Sequence, residues 1–410
     1  MTQSRISERP RRGLATEEVR RHNLAAVLGR LHLGGPMSRS ELAGQTGLNR
    51  STIRDLLVQL TELGLVVENR GTPQAGPGRP SSIARVSPAG AVVVAIELEV
   101  DSIAVATVGL GGHVFGERRE KNAPETSSPE RVVSRLAALA DPLLKGLPPD
   151  HTLVGAGVAV AGVVRRSDGF VHMAPNLGWH EVPIGEMIRD GLGLDLVRVA
   201  NEADLGALGE FRRGAASESR HLIFIAGEVG VGIGIIHEAT PMLGTSGYAG
   251  EAGHTMVNPD GRECRCGSRG CWETEVGEDA LIRRVGMEDW ESGSPLEEIL
   301  RRAQQGDLQT LGALEEVGRW LGIGIGNLIN IFNPDLVVVG GFFHALYPFM
   351  AGAIEAGAKE VTLAAPWEIC EIRRSELGAN AMLIGAAELV LGEVVADPLT
   401  MIEIPTPKVG

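Results

Sequence analysis

Apolar residues Val19, Leu24, Val27, Leu28 and Leu31 recur at the three-and-four spacing of one helix face, and Gly34-Gly35-Pro36 stops the pattern. Ser38-Arg39-Ser40-Glu41 follows and reads as a capping box, in which the hydroxyl covers an orphan N–H and the carboxylate reaches back. The short helix it opens ends at Thr46-Gly47. Asn49 then caps a third helix, from Arg50 to about Leu63, whose Ile53, Leu56, Leu57, Leu60 and Leu63 form a narrow apolar stripe. Asn49, Arg50, Ser51, Thr52 and Arg54 collect at its start, polar and mostly off that stripe.

A short helix, a tight turn with glycine, and a second helix that is polar at its start make the helix-turn-helix pattern. Strands are expected over 65–68 and 83–86, joined by a Gly- and Pro-rich stretch, 71–80. That hairpin is a wing, and Gly78-Arg79-Pro80 at its tip offers one arginine on a stiff backbone suited to a minor groove. The expected DNA contacts are therefore Ser38, Asn49, Arg50, Ser51, Thr52, Arg54 and Arg79.

Ser87-Pro88-Ala89-Gly90 breaks the chain, and the pattern then changes. Apolar runs at 92–98, 103–108, 153–160, 222–225, 233–236 and 336–339 read as strands. Helical stretches lie near 129–144, 203–213 and 308–332, which is an α/β layout.

Charge divides along the same boundary. The net charge of the 410 residues is -14, yet residues 1–90 hold 13 Arg, no Lys and 7 Asp plus Glu, a surplus of 6 positive charges. A basic segment on an acidic body suits a nucleic-acid module attached to something else. The basic N-terminus lacks an apolar signal core, and no apolar run has the length of a spanning helix, so a cytoplasmic protein without membrane contact is expected.

Three of the four cysteines fall within eight positions, Cys264, Cys266 and Cys271, with His254 shortly before them. Clustering of this kind in a cytosolic chain favours metal over disulfides. Three thiolates and one imidazole are a closed tetrahedral set for a structural Zn2+, with no position left for a reacting water. Cys370, far away in sequence, reads as a core residue.

The segment 247–254, GYAGEAGH, followed by Cys-x-Cys-Gly-x-x-Gly-Cys-x-Glu, resembles the signature of the ROK family, the repressors, open reading frames and kinases. Matching pieces extend over nearly the whole chain: GVAVAG at 157–162, APNLGW at 174–179, 201–210, NPDLVVVGG at 333–341 and AMLIGAA at 381–387. The N-terminal winged helix-turn-helix marks the repressor branch. The resemblance implies an α/β, two-lobed, actin-like sugar kinase (ribonuclease H-like) fold, with sugar in the cleft between lobes. It also implies sugar contacts at Asn176, Asn201, Glu202, Glu251, His254 and Glu273. Carboxylates and amides suit hydroxyls that both donate and accept.

Kinases of the family resemble one another in an Asp-x-Gly-Gly-Thr phosphate turn, where this chain has Glu97-Leu98-Glu99-Val100-Asp101. Their second phosphate loop, Gly-Thr-Gly-x-Gly, is here Glu228-Val229-Gly230-Val231-Gly232. The family's catalytic Asp is Glu202, one methylene longer. These departures point away from phosphoryl transfer, which needs positioned phosphates and a placed base. The expectation is a non-enzymatic, sugar-responsive repressor bound to double-stranded operator DNA as a homodimer or homotetramer. An active sugar kinase with an accessory DNA module is the competing reading. The expected organisation is a basic arm at 1–16, a winged helix-turn-helix domain at 17–88 and a sugar-binding domain at 89–410. Its lobes are expected at about 89–200 plus the C-terminal helix, and at about 201–385.

Overall fold

The computed structural model describes residues 16–70, 82–122, 128–245, 247–290 and 293–402. Most of the expected arm, residues 1–15, and the wing tip with Arg79 lie outside the described residues.

The N-terminal unit is α1 (Thr16–Gly34), β1 (Met37–Ser38), α2 (Arg39–Thr46), α3 (Arg50–Glu62), β2 (Val66–Arg70) and β3 (Ser82–Val86). Its core is the predicted stripe: Leu24, Val27, Leu28 and Leu31 of α1 meet Leu42, Ile53, Leu57 and Leu60. Val19, read as part of that face, is instead 42% exposed, one turn too early to reach the core. The wing is a three-stranded sheet in the order β1-β3-β2, because Met37 and Ser38 pair with Ala84 and Ile83. Arg39 forks onto the Glu68 carboxylate (2.9 and 2.5 Å), fixing α2 to the wing.

The remainder holds two five-stranded sheets. The first contains β4 (Val92–Leu98), β5 (Ser102–Gly109), β6 (His113–Lys121), β7 (Leu153–Val160) and, further on, β11 (Val197–Asn201), in the order β11-β7-β4-β5-β6. Its helices are α4 (Pro129–Lys145) and α5 (Ile184–Leu192). Every residue of β4 is buried, as its unbroken apolar run requires of a central strand covered on both faces. A small sheet of β8 (Val163–Arg165), β9 (Phe170–Ala174) and β10 (Trp179–Val182) lies between β7 and α5 in sequence.

The second large sheet contains β12 (Leu222–Gly227), β13 (Val231–His237), β14 (Thr240–Pro241), β15 (Leu336–Gly341) and β16 (Glu371–Arg374), in the order β14-β13-β12-β15-β16. Each large sheet is an antiparallel three-strand meander extended by two parallel strands, so the two halves repeat one design. Helix α6 (Glu202–Arg213) packs on β12 and β13. After it come α7 (Trp272–Val276), α8 (Glu278–Val285), α9 (Pro295–Gln304), α10 (Leu308–Phe332), α11 (Phe343–Val361) and α12 (Ala364–Ile369). Finally α13 (Ala381–Ala396) returns to lie on β4 and β7 of the first sheet, and α14 (Pro398–Met401) follows it.

Helices α6 and α13 meet backbone to backbone between the halves. A Cβ on Gly385 would lie 1.8 Å from the Leu205 carbonyl oxygen, and one on Gly209 would lie 2.3 Å from that of Ala381. Among the described residues, 378–396 is the segment long and apolar enough to cross a membrane, and much of it is buried inside the fold. One hydrophobic cluster runs from α1 and α3 through Ala91 and Val93 into α13, so the expected chain break at 87–90 is a packed joint. Cys370 is half-buried beside edge strand β16, at the margin of the second core.

Candidate functional site

In the helix-turn-helix unit the predicted caps form. Ser38 Oγ accepts from the Glu41 N–H (3.2 Å) while Glu41 Oε2 accepts from the Ser38 N–H (2.7 Å). Asn49 Oδ1 accepts from the Thr52 N–H (2.9 Å) and from Ser51 Oγ (2.5 Å). Between the helices Gly47 sits at φ 71, a left-handed conformation that glycine adopts without steric cost. Arg50, Ser51 and Arg54 stand exposed at the start of α3, Arg54 against Asp55, whereas Ile53, Leu56 and Leu57 face the core. Ser38 and Asn49 thus spend side-chain oxygens on caps, and the exposed cations are Arg50 and Arg54.

A cleft of about 490 Å³ opens between the two large sheets, and Asn176, Asn201, Glu202, Glu251, His254 and Glu273 all line it. Asn201 is placed by being the cap of α6: its Oδ1 accepts from the Ala203 N–H (2.8 Å), and its Nδ2 donates to the Gly162 carbonyl (3.1 Å). Glu202 follows as the first residue of that helix. Its carboxyl is pushed up to about 8 by burial, with the Glu99 charge adding to the effect. Asn176 lies across the cleft and accepts from Arg265 Nη1 (3.3 Å), whose other nitrogen pairs with Asp279 (2.8 Å).

Three arginines of the wall, Arg262, Arg265 and Arg283, were not anticipated. Arg262 and Arg265 lie in the cysteine loop, where a basic residue reads from sequence as a solvated charge. Asp204, also missed, is pushed up to about 7 by burial. Its signal in the sequence was a second carboxylate two residues after Glu202 in the first turn of α6.

The four expected metal ligands converge. His254 Nδ1 lies 3.6 Å from Cys264 Sγ, and Cys266 Sγ lies 3.7 Å from Cys271 Sγ. Tetrahedral zinc with bonds of about 2.3 Å to sulfur and about 2.1 Å to nitrogen requires S···N of about 3.6 Å and S···S of about 3.8 Å. These two pairs stand at that spacing, and all four donor atoms lie within 4.8 Å of one another, a set that could hold a metal ion. Gly270 is required for the wrap, since a Cβ there would lie 1.7 Å from the Asn258 carbonyl oxygen. Backbone hydrogen bonding at Ser268 lowers the Cys266 thiol to about 7, whereas burial raises those of Cys264 and Cys271. Glu273 Oε1 lies 3.0 Å from Cys264 Sγ and 3.4 Å from His254 Nδ1, so a cleft carboxylate abuts the metal cluster. Between Cys271 and Glu273, Trp272 anchors the loop: it is fully buried, and its Nε1 donates to the Trp320 carbonyl (3.0 Å).

A cluster of carboxyl groups adjoins the cleft, and Glu202 and Glu228 of that cluster line it. Burial, followed by the Glu99 charge, pushes Glu97 up to about 8. Glu228 is raised well above the ordinary range by burial and then by Glu202, Glu99, Glu97 and Asp101. Arg119 bridges Glu97 (2.7 Å) and Glu99 (3.3 Å).

The chain matches the family model described as "ROK family" over residues 93–393 and that described as "IclR helix-turn-helix domain" over residues 25–70. It is 29% identical over 384 residues to the xylose repressor of Bacillus subtilis (strain 168), with 93% of this chain and 98% of that protein covered. A crystal structure of a ROK family transcriptional regulator, a homologue of the E. coli MLC protein, superposes with a TM-score of 0.75. That likeness has 24% identity and covers 93% of this chain and 98% of the other, and it bears on the fold. A ROK family glucokinase from Streptomyces griseus, crystallised with glucose and AMPPNP, gives a TM-score of 0.64 at 28% identity. It covers 73% of this chain and 98% of the kinase, so the match omits roughly a quarter of this chain.

Proposed function

The chain belongs to the ROK family, and on that premise we propose that it is a sugar-responsive transcriptional repressor whose kinase chemistry has lapsed. The observation that carries the reading is the contrast between what the cleft offers a sugar and what it offers ATP. To a ring of hydroxyls it offers amides, carboxyls and an imidazole. To phosphates it offers Glu97-Leu98-Glu99 and Glu228-Val229, buried proton-bearing carboxyl groups and bulky side chains that keep the backbone from cradling them. In the same chain the α3 start presents exposed Arg50 and Arg54 to a duplex.

Asn176, Glu202, Glu251, His254 and Glu273 would hold the sugar, with Asn201 fixing the start of α6 beneath it. A Zn2+ ion would be held by His254, Cys264, Cys266 and Cys271, and its chemistry there is structural, since four protein donors fill a tetrahedral set. Bound through Nδ1, His254 keeps Nε2 for a sugar hydroxyl, and Glu273 is held two residues after the ligand Cys271. Xylose is the first effector to try, because a relative matched almost end to end is a xylose repressor. The functional unit is a homodimer or homotetramer, so that two helix-turn-helix units read two half-sites.

Calorimetric titration with D-xylose, D-glucose and N-acetyl-D-glucosamine tests the pocket, alongside a coupled assay for sugar-dependent ADP formation. The reading expects one sugar to bind without ADP release. Turnover at the rates of ordinary kinases, 1–100 per second on the order of magnitude, would establish the competing enzyme reading instead.

A further inference from the structure

His32, in the last turn of α1, is buried. Its Nδ1 accepts from the Gly111 N–H (3.0 Å), and its Nε2 lies 3.0 Å from Glu388 Oε2. Arg213, the last residue of α6, completes the cluster. Its Nε donates to Glu388 Oε1 (2.6 Å), its Nη1 to the His32 carbonyl (2.8 Å), and its Nη2 faces His32 Nε2 (2.5 Å). Gly112 makes room, for a Cβ there would lie 2.9 Å from Arg213 Nε. Burial alone would push the Glu388 carboxyl up, yet its hydrogen bonds with His32 and Arg213 and the Arg213 charge leave it lowered.

The three side chains belong to three bodies. His32 is part of the helix-turn-helix unit, Glu388 rides on α13 against the first sheet, and Arg213 rides on α6 against the second. The opposite end of α6 is Asn201-Glu202, in the cleft wall. Twelve helical residues separate the ends, about 18 Å at 1.5 Å per residue. The α6–α13 contact is backbone on backbone and cannot compress, so any change in the angle between the halves must slide or turn one helix along the other. Such a slide moves Arg213 against Glu388. A buried ion cluster does not stretch gradually, because a parted buried charge loses both its partner and its solvent.

Resting on the sugar-responsive reading above, we propose that Arg213 is the positioning residue that couples the cleft to the DNA-binding domain, holding His32 and Glu388 in one arrangement and releasing them in the other. The domain is thereby seated differently in the two states, and sugar shifts operator affinity by the difference in its own affinity for them.

The test uses the full chain and a fluorescent duplex from upstream of its own gene. Operator Kd is read with and without saturating D-xylose, D-glucose or N-acetyl-D-glucosamine, and sugar Kd is read by calorimetry. In the unaltered protein the ratio of the two operator constants is expected at about 5- to 150-fold. Arg213→Lys keeps a cation beside Glu388 but lacks the planar fork that reaches His32. It should bring the ratio to within about twofold of one while sugar Kd stays within about threefold of the original. His32→Leu, made from the other side of the joint, should lower the ratio equally, and the double variant should lower it no further. A merely structural role would change the melting temperature and leave the ratio alone. Folded, sugar-binding variants that keep the full ratio overturn the proposal and leave the sugar-responsive reading standing. Should Arg213→Lys not fold, His32→Leu decides alone. If no sugar changes operator Kd in the unaltered protein, the reading and the proposal both fall.

Discussion

Gly324→Ala should damage the sugar site from behind. Gly324 lies on α10 against Trp272, and a Cβ there would stand 1.9 Å from Cε2, 2.3 Å from Cζ2 and 2.4 Å from Cδ2 of the indole. Carbon atoms rest at about 3.5–4.0 Å, so the ring must retreat by roughly 1.5 Å. It has nowhere easy to go, being fully buried and tied through Nε1 to the Trp320 carbonyl. Overpacking costs about 1–3 kcal/mol, and loss of that hydrogen bond adds about 0.5–1.5 kcal/mol. A destabilisation of about 2–4 kcal/mol is expected in urea unfolding. Because Trp272 lies between Cys271 and Glu273, the same shift should also loosen metal and sugar. Zinc release to a chromogenic chelator should quicken, and sugar Kd should rise at least about tenfold. Trp272→Leu in the same chain frees space and should recover part of both losses, a coupling visible in a double-mutant cycle. A cost below about 0.5 kcal/mol with unchanged sugar Kd would refute the reasoning.

Cys266→Ser removes one of four donors and should abolish stoichiometric zinc by elemental analysis, with sugar affinity falling by about 10- to 100-fold. Retention of full affinity by the zinc-free protein would contradict the coupling of metal to cleft through His254 and the Cys271–Glu273 segment. Glu97 and Glu202 keep their protons to about pH 8 and Asp204 to about pH 7 in the folded protein, whereas the unfolded chain releases them near pH 4–5. The folded state therefore binds more protons in that window, and stability should fall as pH rises from about 5 to 8. Glu202→Gln should flatten the slope in thermal melts taken across that range; an unchanged slope would count against the buried acids. Arg50→Ala should weaken operator binding and reduce the slope of log affinity against log salt by about one, as for one lost phosphate contact.

Strands β4, β7 and the long helix α10 are legible in sequence because an uninterrupted apolar run, or a sustained helical one, is bounded by Gly, Pro or Asp. The caps at Ser38 and Asn49 are legible because capping is local chemistry. Strand β6 is not: its nine residues, HVFGERREK, are mostly polar because it is an edge strand with one neighbour. Helix α11 carries Pro348 and two Ala-Gly-Ala runs, 351–353 and 356–358, that blur its period. The metal cluster is readable because its donors fall close together in sequence. The joint between His32, Arg213 and Glu388 is not, since its members lie 175 to 356 residues apart and become neighbours through packing of α1, α6 and α13. A glutamate inside the apolar run of α13 was its one local sign.

The most direct test of the account is operator binding by fluorescence anisotropy, on a duplex from upstream of the protein's own gene, titrated with D-xylose and the two hexoses named above. The account predicts that one sugar moves the binding curve by at least about fivefold while no ADP forms in the presence of ATP. A curve that no sugar moves, from a protein that phosphorylates the sugar it binds, would contradict it.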